Sequence, residues 1–177
     1  MNILKTVLYM GSLHGIFTFY LPYQISMADR PIFDPGIFRY LAIPLALLQS
    51  GPRIQTGFLS YLAFPLWLAG TAILIWCFWD FLIEGGGTPA PVEPPRELVV
   101  AGLYNYVRNP MYVGVLLVIF GHFLWFGYWN LLIYAAVVFI AFSTFVSFYE
   151  EPDLKTRFGA TYEDYLKRVP RWIPRFK

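Results

Sequence analysis

Two clusters of polar residues flank a long apolar run and carry the side chains best suited to chemistry. In the stretch GLYNYVRNPMYVG, Arg108 comes immediately before Asn109-Pro110. The adjacent pair Glu150–Glu151 follows the run. Asn109-Pro110 predicts a helix start, with Asn as N-cap and Pro at the first helical position. The backbone N–H groups of that first turn can receive a carboxylate or a phosphate.

Each cluster also has a purely structural interpretation. Acids at a helix C-terminus face the unfavourable end of the helix dipole, at roughly 0.3–1 kcal/mol each, and a local rule broken in this way favours a function. The alternative is a solvated helix end facing basic side chains. Arg108 has the alternative of snorkelling to lipid phosphates. The alternative for the three tyrosines is an interfacial aromatic belt formed by Tyr104, Tyr106 and Tyr112.

The composition predicts an integral membrane protein. Of the 177 residues, 58% are hydrophobic and 14% are charged, whereas soluble domains carry about 25% charged residues. No basic run indicates nucleic-acid binding. The single cysteine, Cys77, is interpreted as a packing residue. His14 and His122 lack the spacing of a metal site, so no metal ion is expected.

The hydropathy pattern predicts an all-α polytopic fold with about five transmembrane helices, because a span needs about 20 apolar residues. Three spans fall in an N-terminal unit, residues 1–83, at 3–27, 36–50 and 57–83, with Pro65 as a kink. A helical hairpin follows at 111–125 and 130–149. From residue 150, three- and four-residue spacing predicts an amphipathic C-terminal helix at the interface; its apolar stripe is Leu154, Phe158, Tyr162, Tyr165, Leu166 and Val169.

The charge distribution predicts the orientation. With five spans and an inner C-terminus, the outer segments hold Lys5 and Arg53, and the inner segments hold the other 11 of the 13 basic residues. Such a bias predicts a cytoplasmic C-terminus. The inner basic residues are Arg30, Arg39, Arg96, Arg108, Lys155, Arg157, Lys167, Arg168, Arg171, Arg175 and Lys177.

The predicted hairpin brings the two polar clusters together. A short turn makes its helices antiparallel neighbours, so Arg108 is expected beside Glu150–Glu151 although about 40 residues separate them. Polar residues crowd this one membrane face and are few near the midplane. This pattern favours an enzyme over the alternative of a non-catalytic lipid-binding or transport protein.

The stretches ELVVAGLYNYVRNPMYVG and EEPDLKTRFGATYEDYLKRVPRWIP, with the hairpin between them, resemble the isoprenylcysteine carboxyl methyltransferase and phospholipid methyltransferase superfamily over roughly residues 84–177. The residues that carry the resemblance are Leu98–Val99, Gly102, Tyr104, Arg108-Asn109-Pro110, Tyr112, Glu150–Glu151, Leu154, Phe158–Gly159, Tyr162 and Tyr165. Two positions depart from the pattern. Asn109 replaces the usual His, and Arg96 stands where many members have a His. Both departures bear on the acceptor more than on the cofactor.

The resemblance implies that residues 84–177 form a catalytic half whose pocket faces the cytoplasm and binds S-adenosyl-L-methionine. The implied cofactor-binding residues are Leu98, Val99, Gly102, Tyr104, Arg108, Asn109, Pro110, Tyr112, Glu150, Glu151 and Phe158. Glu150 or Glu151 suits the cofactor's ammonium, and Arg108 or the nearby backbone N–H groups suit its carboxylate. Arg108 and Glu151 are the implied catalytic residues, and Arg171 and Tyr162 the implied acceptor-binding residues.

The expected acceptor is a lipophilic molecule that enters from the bilayer, such as a prenylcysteine-like carboxylate. A phospholipid amine or a small thiol is the alternative within the same class. The expected location is a bacterial inner membrane, with several spans and the active site facing the cytoplasm.

Overall fold

The computed structural model describes residues 15–22, 52–84 and 97–174, except the side chains of Phe17 and Leu82. Within these ranges the chain is all-helical, with strand-like pairing limited to one isolated bridge between Arg53 and Tyr128. The α-helices are α1 (Ala63–Ile83), α2 (Pro110–Phe126), α3 (Trp129–Phe145) and α4 (Glu151–Arg168). Shorter pieces are the 3₁₀ turns Gly57–Leu62 and Gly102–Asn105 and the π-helical segments Gly15–Tyr20 and Val146–Glu150.

Two described helical stretches, Gly57–Phe81 and Trp129–Arg168, are long and apolar enough to cross a membrane. The apolar helix α2 is shorter, at 17 residues. The third predicted span and the helical hairpin therefore correspond to observed helices. The predicted spans at 3–27 and 36–50 lie outside the described residues apart from 15–22. The count of five spans stays a prediction.

Helices α1 and α2 pack against each other through glycines. A Cβ atom added to Gly70 would lie 2.7 Å from the carbonyl oxygen of Gly114 and 2.7 Å from Cγ2 of Val118. Close approach through small residues is typical of helices that pack within lipid. Pro65 lies in the first turn of α1, directly after the 3₁₀ turn Gly57–Leu62 and within the continuous helical stretch Gly57–Phe81. The kink expected at this residue stays a prediction.

The turn of the hairpin is covered by the segment that precedes α1. Gly127 ends α2 at a φ of 74°, a left-handed conformation that glycine adopts without strain. Its carbonyl oxygen accepts a hydrogen bond from the backbone N–H of Ile54 at 2.7 Å. Arg53 Nε donates to the carbonyl oxygen of Phe126 at 2.9 Å, and Thr56 Oγ1 donates to that of Leu124 at 2.8 Å. These donors satisfy carbonyls at the end of α2.

The junction between α3 and α4 corrects one prediction. The apolar helix does not end at Glu150–Glu151; it continues through the π-helical segment Val146–Glu150 directly into α4. In an ordinary α-helical turn, Pro152 would remove one backbone hydrogen bond, and its ring would crowd the carbonyl group four residues earlier. The wider turn, in which the N–H of Glu151 donates to the carbonyl oxygen of Val146, accommodates it. Glu151 and Asp153 therefore lie in the first turn of α4, and the unfavourable helix C-terminus expected at the glutamate pair is absent from this junction.

Helix α4 has the predicted amphipathic character. Its buried residues Tyr162 and Tyr165 cluster with Val169, and Leu98 from the loop before α2 packs on the same cluster. The helix has a break at Gly159, whose φ of 52° and ψ of −128° are not helical.

Candidate functional site

The loop before α2 forms one wall of the site. Gly102 begins the turn Gly102–Asn105 at a φ of 54°. It lies against α1, because a Cβ atom at this position would meet the carboxylate of Asp80 and come within 2.8 Å of Trp76 Nε1. The turn buries Tyr104, whose carbonyl oxygen accepts a hydrogen bond of 2.7 Å from the Tyr165 hydroxyl of α4. The loop is thus held between the end of α1 and the inner face of α4.

Asn109 and Pro110 start α2 as predicted, but the Asn109 side chain does not cap the helix. Its Nδ2 instead donates to the carbonyl oxygen of Arg171 at 3.1 Å. The backbone N–H of the preceding residue, Arg108, donates to the carbonyl oxygen of Pro170 at 2.9 Å. Two successive residues of the loop therefore hold the segment that follows α4.

An ion-pair network joins the two polar clusters, as the hairpin predicted. Arg108 Nη1 lies 2.7 Å from Oε1 of Glu151, and both side chains are only 15% exposed. Arg171 binds the same carboxylate from the other side, with Nε 3.0 Å from Oε1 and Nη2 2.6 Å from Oε2. Its remaining nitrogen, Nη1, donates to Ser147 Oγ at 3.0 Å. Such charge-assisted, two-point contacts are strong and geometrically specific.

Glu150 has different surroundings from its neighbour. Its Oε2 accepts a hydrogen bond of 3.0 Å from the Tyr112 hydroxyl, and the Tyr112 ring stacks on Phe142 at 4.3 Å. Burial raises the pKa of Glu150 above its usual 4.5, and the nearby charge of Glu151 adds to this effect, while the Tyr112 hydrogen bond opposes it. Two of the four salt bridges found among the described residues involve Glu151, and none of the four involves Glu150. Glu150 is therefore the carboxylate that is suited to a cation from outside the chain.

These groups surround a cavity of about 240 Å³. Ten of the predicted site residues line it: Leu98, Val99, Tyr104, Arg108, Asn109, Tyr112, Glu150, Glu151, Phe158 and Tyr162. Gly102, Pro110 and Arg171 are not among its lining residues. Gly102 and Pro110 shape the backbone behind the wall, and Arg171 directs its guanidinium to Glu151 and Ser147. Within the described residues, no group of three His, Cys, Asp or Glu side chains is arranged to hold a metal ion.

Several lining residues were not predicted, namely Phe81, Phe145, Val146, Tyr149, Asp153, Leu154, Arg157 and Tyr165. A spacing of four residues could have identified some of them, because it connects Val146, Glu150, Leu154 and Phe158. Residues four apart share one helix face, and the helical path through the junction keeps these four on the cavity side. The prediction of a helix end at Glu150 hid this continuity. Phe81 comes from the end of α1, and no motif marks it.

Tyr104 and Tyr162 of the cavity are neutral at physiological pH. Burial raises the pKa of Tyr162 to about 12 and holds that of Tyr104 well above its usual 10.0. Arg157 lies over the Phe158 ring at 5.0 Å and pairs with Asp153 at 3.5 Å on the rim. The cavity thus combines neutral aromatic walls with charges that are concentrated on the α3–α4 junction.

Comparisons with known proteins agree on one family. A family model for phospholipid methyltransferases matches residues 58–161, more than half of the chain. Protein-S-isoprenylcysteine O-methyltransferase of Schizosaccharomyces pombe is 28% identical over 168 residues, which cover 82% of this chain and 71% of that protein. Methanethiol S-methyltransferase 2 of Bradyrhizobium diazoefficiens is 39% identical over 80 residues, which cover 41% of this chain and 27% of that protein. No solved structure matches significantly.

The two glutamates are expected to affect stability in opposite ways. Glu151→Gln should destabilise the fold by about 1–3 kcal/mol, because it weakens two charge-assisted contacts. Glu150→Gln should leave stability equal near pH 4 and raise it at pH 7. The reason is that the folded state holds the Glu150 proton more tightly than the unfolded state, so wild-type stability falls as pH rises above 4.5 towards the folded-state pKa. Thermal unfolding in detergent, followed by tryptophan fluorescence between pH 4 and 8, measures both effects. A wild type more stable than Glu150→Gln at pH 7 would contradict this electrostatic assignment.

Proposed function

We propose, since this chain belongs to the phospholipid methyltransferase family and is a methyltransferase, that it binds S-adenosylmethionine in its cavity. The protein then transfers the methyl group to a lipophilic acceptor. The observation that carries the proposal is that one cavity is lined by both an acid without an ionic partner among the described residues, Glu150, and a cation, Arg108. All cavity-lining residues except Tyr162 and Tyr165 fall within the range that matches the family model.

The charged residues fit the amino-acid part of the cofactor. Glu150 has no arginine partner among the described salt bridges, so its carboxylate suits an ammonium group. Arg108 uses Nη1 for Glu151, whereas its buried Nε finds no hydrogen-bond partner within the described part of the chain. A buried donor without a partner costs free energy that a bound acceptor restores. Nε is therefore suited to the cofactor's carboxylate.

The aromatic and apolar residues fit the rest of the molecule. S-adenosylmethionine, when bound, supplies an electrophilic methyl group on a sulfonium sulfur. Tyr104, Tyr112 and Phe158 present neutral ring faces that attract a cation and accept a flat adenine. Leu98 and Val99 are apolar and exclude water from the same space. Orientation of the reactants and exclusion of water are what the residues of such a site contribute to methyl transfer.

The acceptor is proposed to enter from the bilayer side, near α3. Phe145 and Tyr149 line the cavity and are also 39% and 54% exposed on the apolar surface. They stack on each other at 5.1 Å and connect the cavity with the surface that lipid would cover. A lipophilic acceptor such as a prenylcysteine-like carboxylate suits this opening. Because one matching relative is named as a methanethiol methyltransferase, a small thiol is the second candidate, with a phospholipid amine as the third.

The membrane placement follows from the same arrangement. The segment at residues 52–56 covers the hairpin turn, whereas the cavity lies at the other end of α1, α2 and α3. The excess of basic residues predicted on the inner side supports a cytoplasmic position for the cavity. The proposed location is a bacterial inner membrane, with several spans.

Binding of S-adenosylhomocysteine to purified protein tests the cofactor assignment. Glu150→Gln and Arg108→Lys should each weaken binding by about 10-fold or more, because each loses a contact with a charged group. Methylthioadenosine lacks the amino-acid part, so its affinity should change less than about twofold. Glu163→Gln, which changes an exposed acid on α4, is the matched control. Absence of wild-type binding, or equal losses for both ligands, would refute the assignment.

Transfer of a labelled methyl group identifies the acceptor. With an S-farnesylcysteine derivative, an alkyl thiol and phosphatidylethanolamine offered separately, we expect most label on the first. That label should be released as methanol by mild alkali, since a methyl ester is base-labile whereas a thioether and an N-methyl amine are not. The Glu150→Gln protein should transfer at least about 10-fold less. Label that goes mainly to the thiol or to the phospholipid would replace the favoured acceptor by that one.

Accessibility of introduced cysteines tests the orientation. In a Cys77→Ser background, Gln55→Cys lies beside the hairpin turn and Lys167→Cys lies on the exposed face of α4. A membrane-impermeant maleimide added to spheroplasts should label Gln55→Cys and should reach Lys167→Cys only after permeabilisation. The opposite pattern would invert the proposed topology. The cysteine-free protein is the control.

A further inference from the structure

We propose that Arg171 is a positioning residue that acts through Glu151 to hold Arg108 in place for the cofactor's carboxylate, with Asn109 setting the position of Arg171 itself. This inference rests on the proposed function. It replaces the expectation that Arg171 binds the acceptor directly, and it gives Asn109 a task other than helix capping.

Each of the three guanidinium nitrogens of Arg171 makes a hydrogen bond within the chain. Nε and Nη2 contact Oε1 and Oε2 of Glu151 at 3.0 and 2.6 Å, and Nη1 contacts Ser147 Oγ at 3.0 Å. Every nitrogen of the guanidinium thus has a protein acceptor, and Arg171 does not line the cavity. A planar fork of this kind fixes a carboxylate in both position and rotation.

Glu151 connects Arg171 with Arg108 through a shared hydrogen-bond acceptor. The same oxygen, Oε1, is the acceptor for Arg171 Nε at 3.0 Å and for Arg108 Nη1 at 2.7 Å. A rotation of the Glu151 carboxylate would therefore move the Arg108 guanidinium. Arg108 lines the cavity, and its Nε is buried and without a hydrogen-bond partner among the described residues. The position of that donor depends on the fork that Arg171 supplies.

The backbone at Arg171 is held by Arg108 and Asn109, the two residues immediately before α2. Its carbonyl oxygen accepts from Asn109 Nδ2 at 3.1 Å, and the carbonyl oxygen of Pro170 accepts from the backbone N–H of Arg108 at 2.9 Å. Next along the chain, the Trp172 ring lies 5.2 Å from Phe139 of α3. Arg171 is thus tied by its backbone to the start of α2 and by its side chain to the α3–α4 junction. It connects the two halves of the site.

The test compares S-adenosylhomocysteine with methylthioadenosine, as equilibrium binding to the full-length protein in detergent. Arg171→Lys keeps the charge and loses the fork, so it should weaken S-adenosylhomocysteine binding about 10-fold and methylthioadenosine binding less than about twofold. Ser147→Ala removes a single contact of Arg171 and should weaken S-adenosylhomocysteine binding about threefold. This variant replaces Arg171→Lys as the test if Arg171→Lys fails to fold. Arg168→Lys makes the same exchange at an exposed position of α4 and should change neither affinity.

A double variant distinguishes a positioning role of Arg171 from a general structural role of this residue. If Arg171 acts through Arg108, the double variant Arg108→Lys/Arg171→Lys should bind no more weakly than Arg108→Lys alone, since residues in one network are not additive. Additive losses, or equal losses for both ligands, would show a merely structural role and overturn the inference. If Arg108→Lys is selective and Arg171→Lys has no effect, this inference fails while the proposed function stands. If the wild type binds neither ligand, both fail.

Discussion

One carboxylate oxygen, Oε1 of Glu151, receives hydrogen bonds from two guanidinium groups, and the rest of the site is arranged around it. The arginines come from the loop before α2 and from the segment after α4. The side chains of Glu151 and Arg108 are largely withdrawn from water, at 15% exposure each. In such surroundings removal of one partner leaves an uncompensated charge. The fold must therefore bring three distant parts of the sequence to one point, and the hairpin formed by α2 and α3 does this. Its short turn, covered by residues 52–56, returns the chain to the level at which it started.

The apolar helices limit where such a network can lie. Lipid offers no hydrogen bonds, so charged groups must pair with each other or stay at the membrane edge. The site fits these conditions, because Glu151 pairs with Arg108 and Arg171 and because Glu150, which has no ionic partner among the described residues, lies with them at the same end of α2 and α3. The glycine contact between α1 and α2 then serves the site indirectly. It holds the end of α1 close enough for Gly102 to fit against Asp80 and for Phe81 to reach the cavity.

Much of this arrangement could be predicted from sequence, and the remainder failed for identifiable reasons. Hydropathy and spacing gave the hairpin, the amphipathic α4 and the proximity of Arg108 to the glutamates, because these depend on periodicity alone. The helix end at Glu150 was wrong, since Pro152 was assumed to stop the helix when a π-helical turn absorbs it. The side-chain partner of Asn109 lies 62 residues away, and those of Arg171 lie 20 and 24 residues away. No local pattern encodes such tertiary contacts.

The sequence also could not separate the tasks of two adjacent glutamates, and the helix geometry separates them. Successive residues on a helix of 3.6 residues per turn point about 100° apart, so Glu150 and Glu151 cannot face the same partners. Glu151 points to the two arginines, and Glu150 points to Tyr112 and the cavity. If the helix ended before this pair, both side chains would be free to meet the arginines and the cavity would lose its unpaired acid. The continuous helix through the π turn is therefore what assigns one glutamate to structure and leaves the other for a ligand.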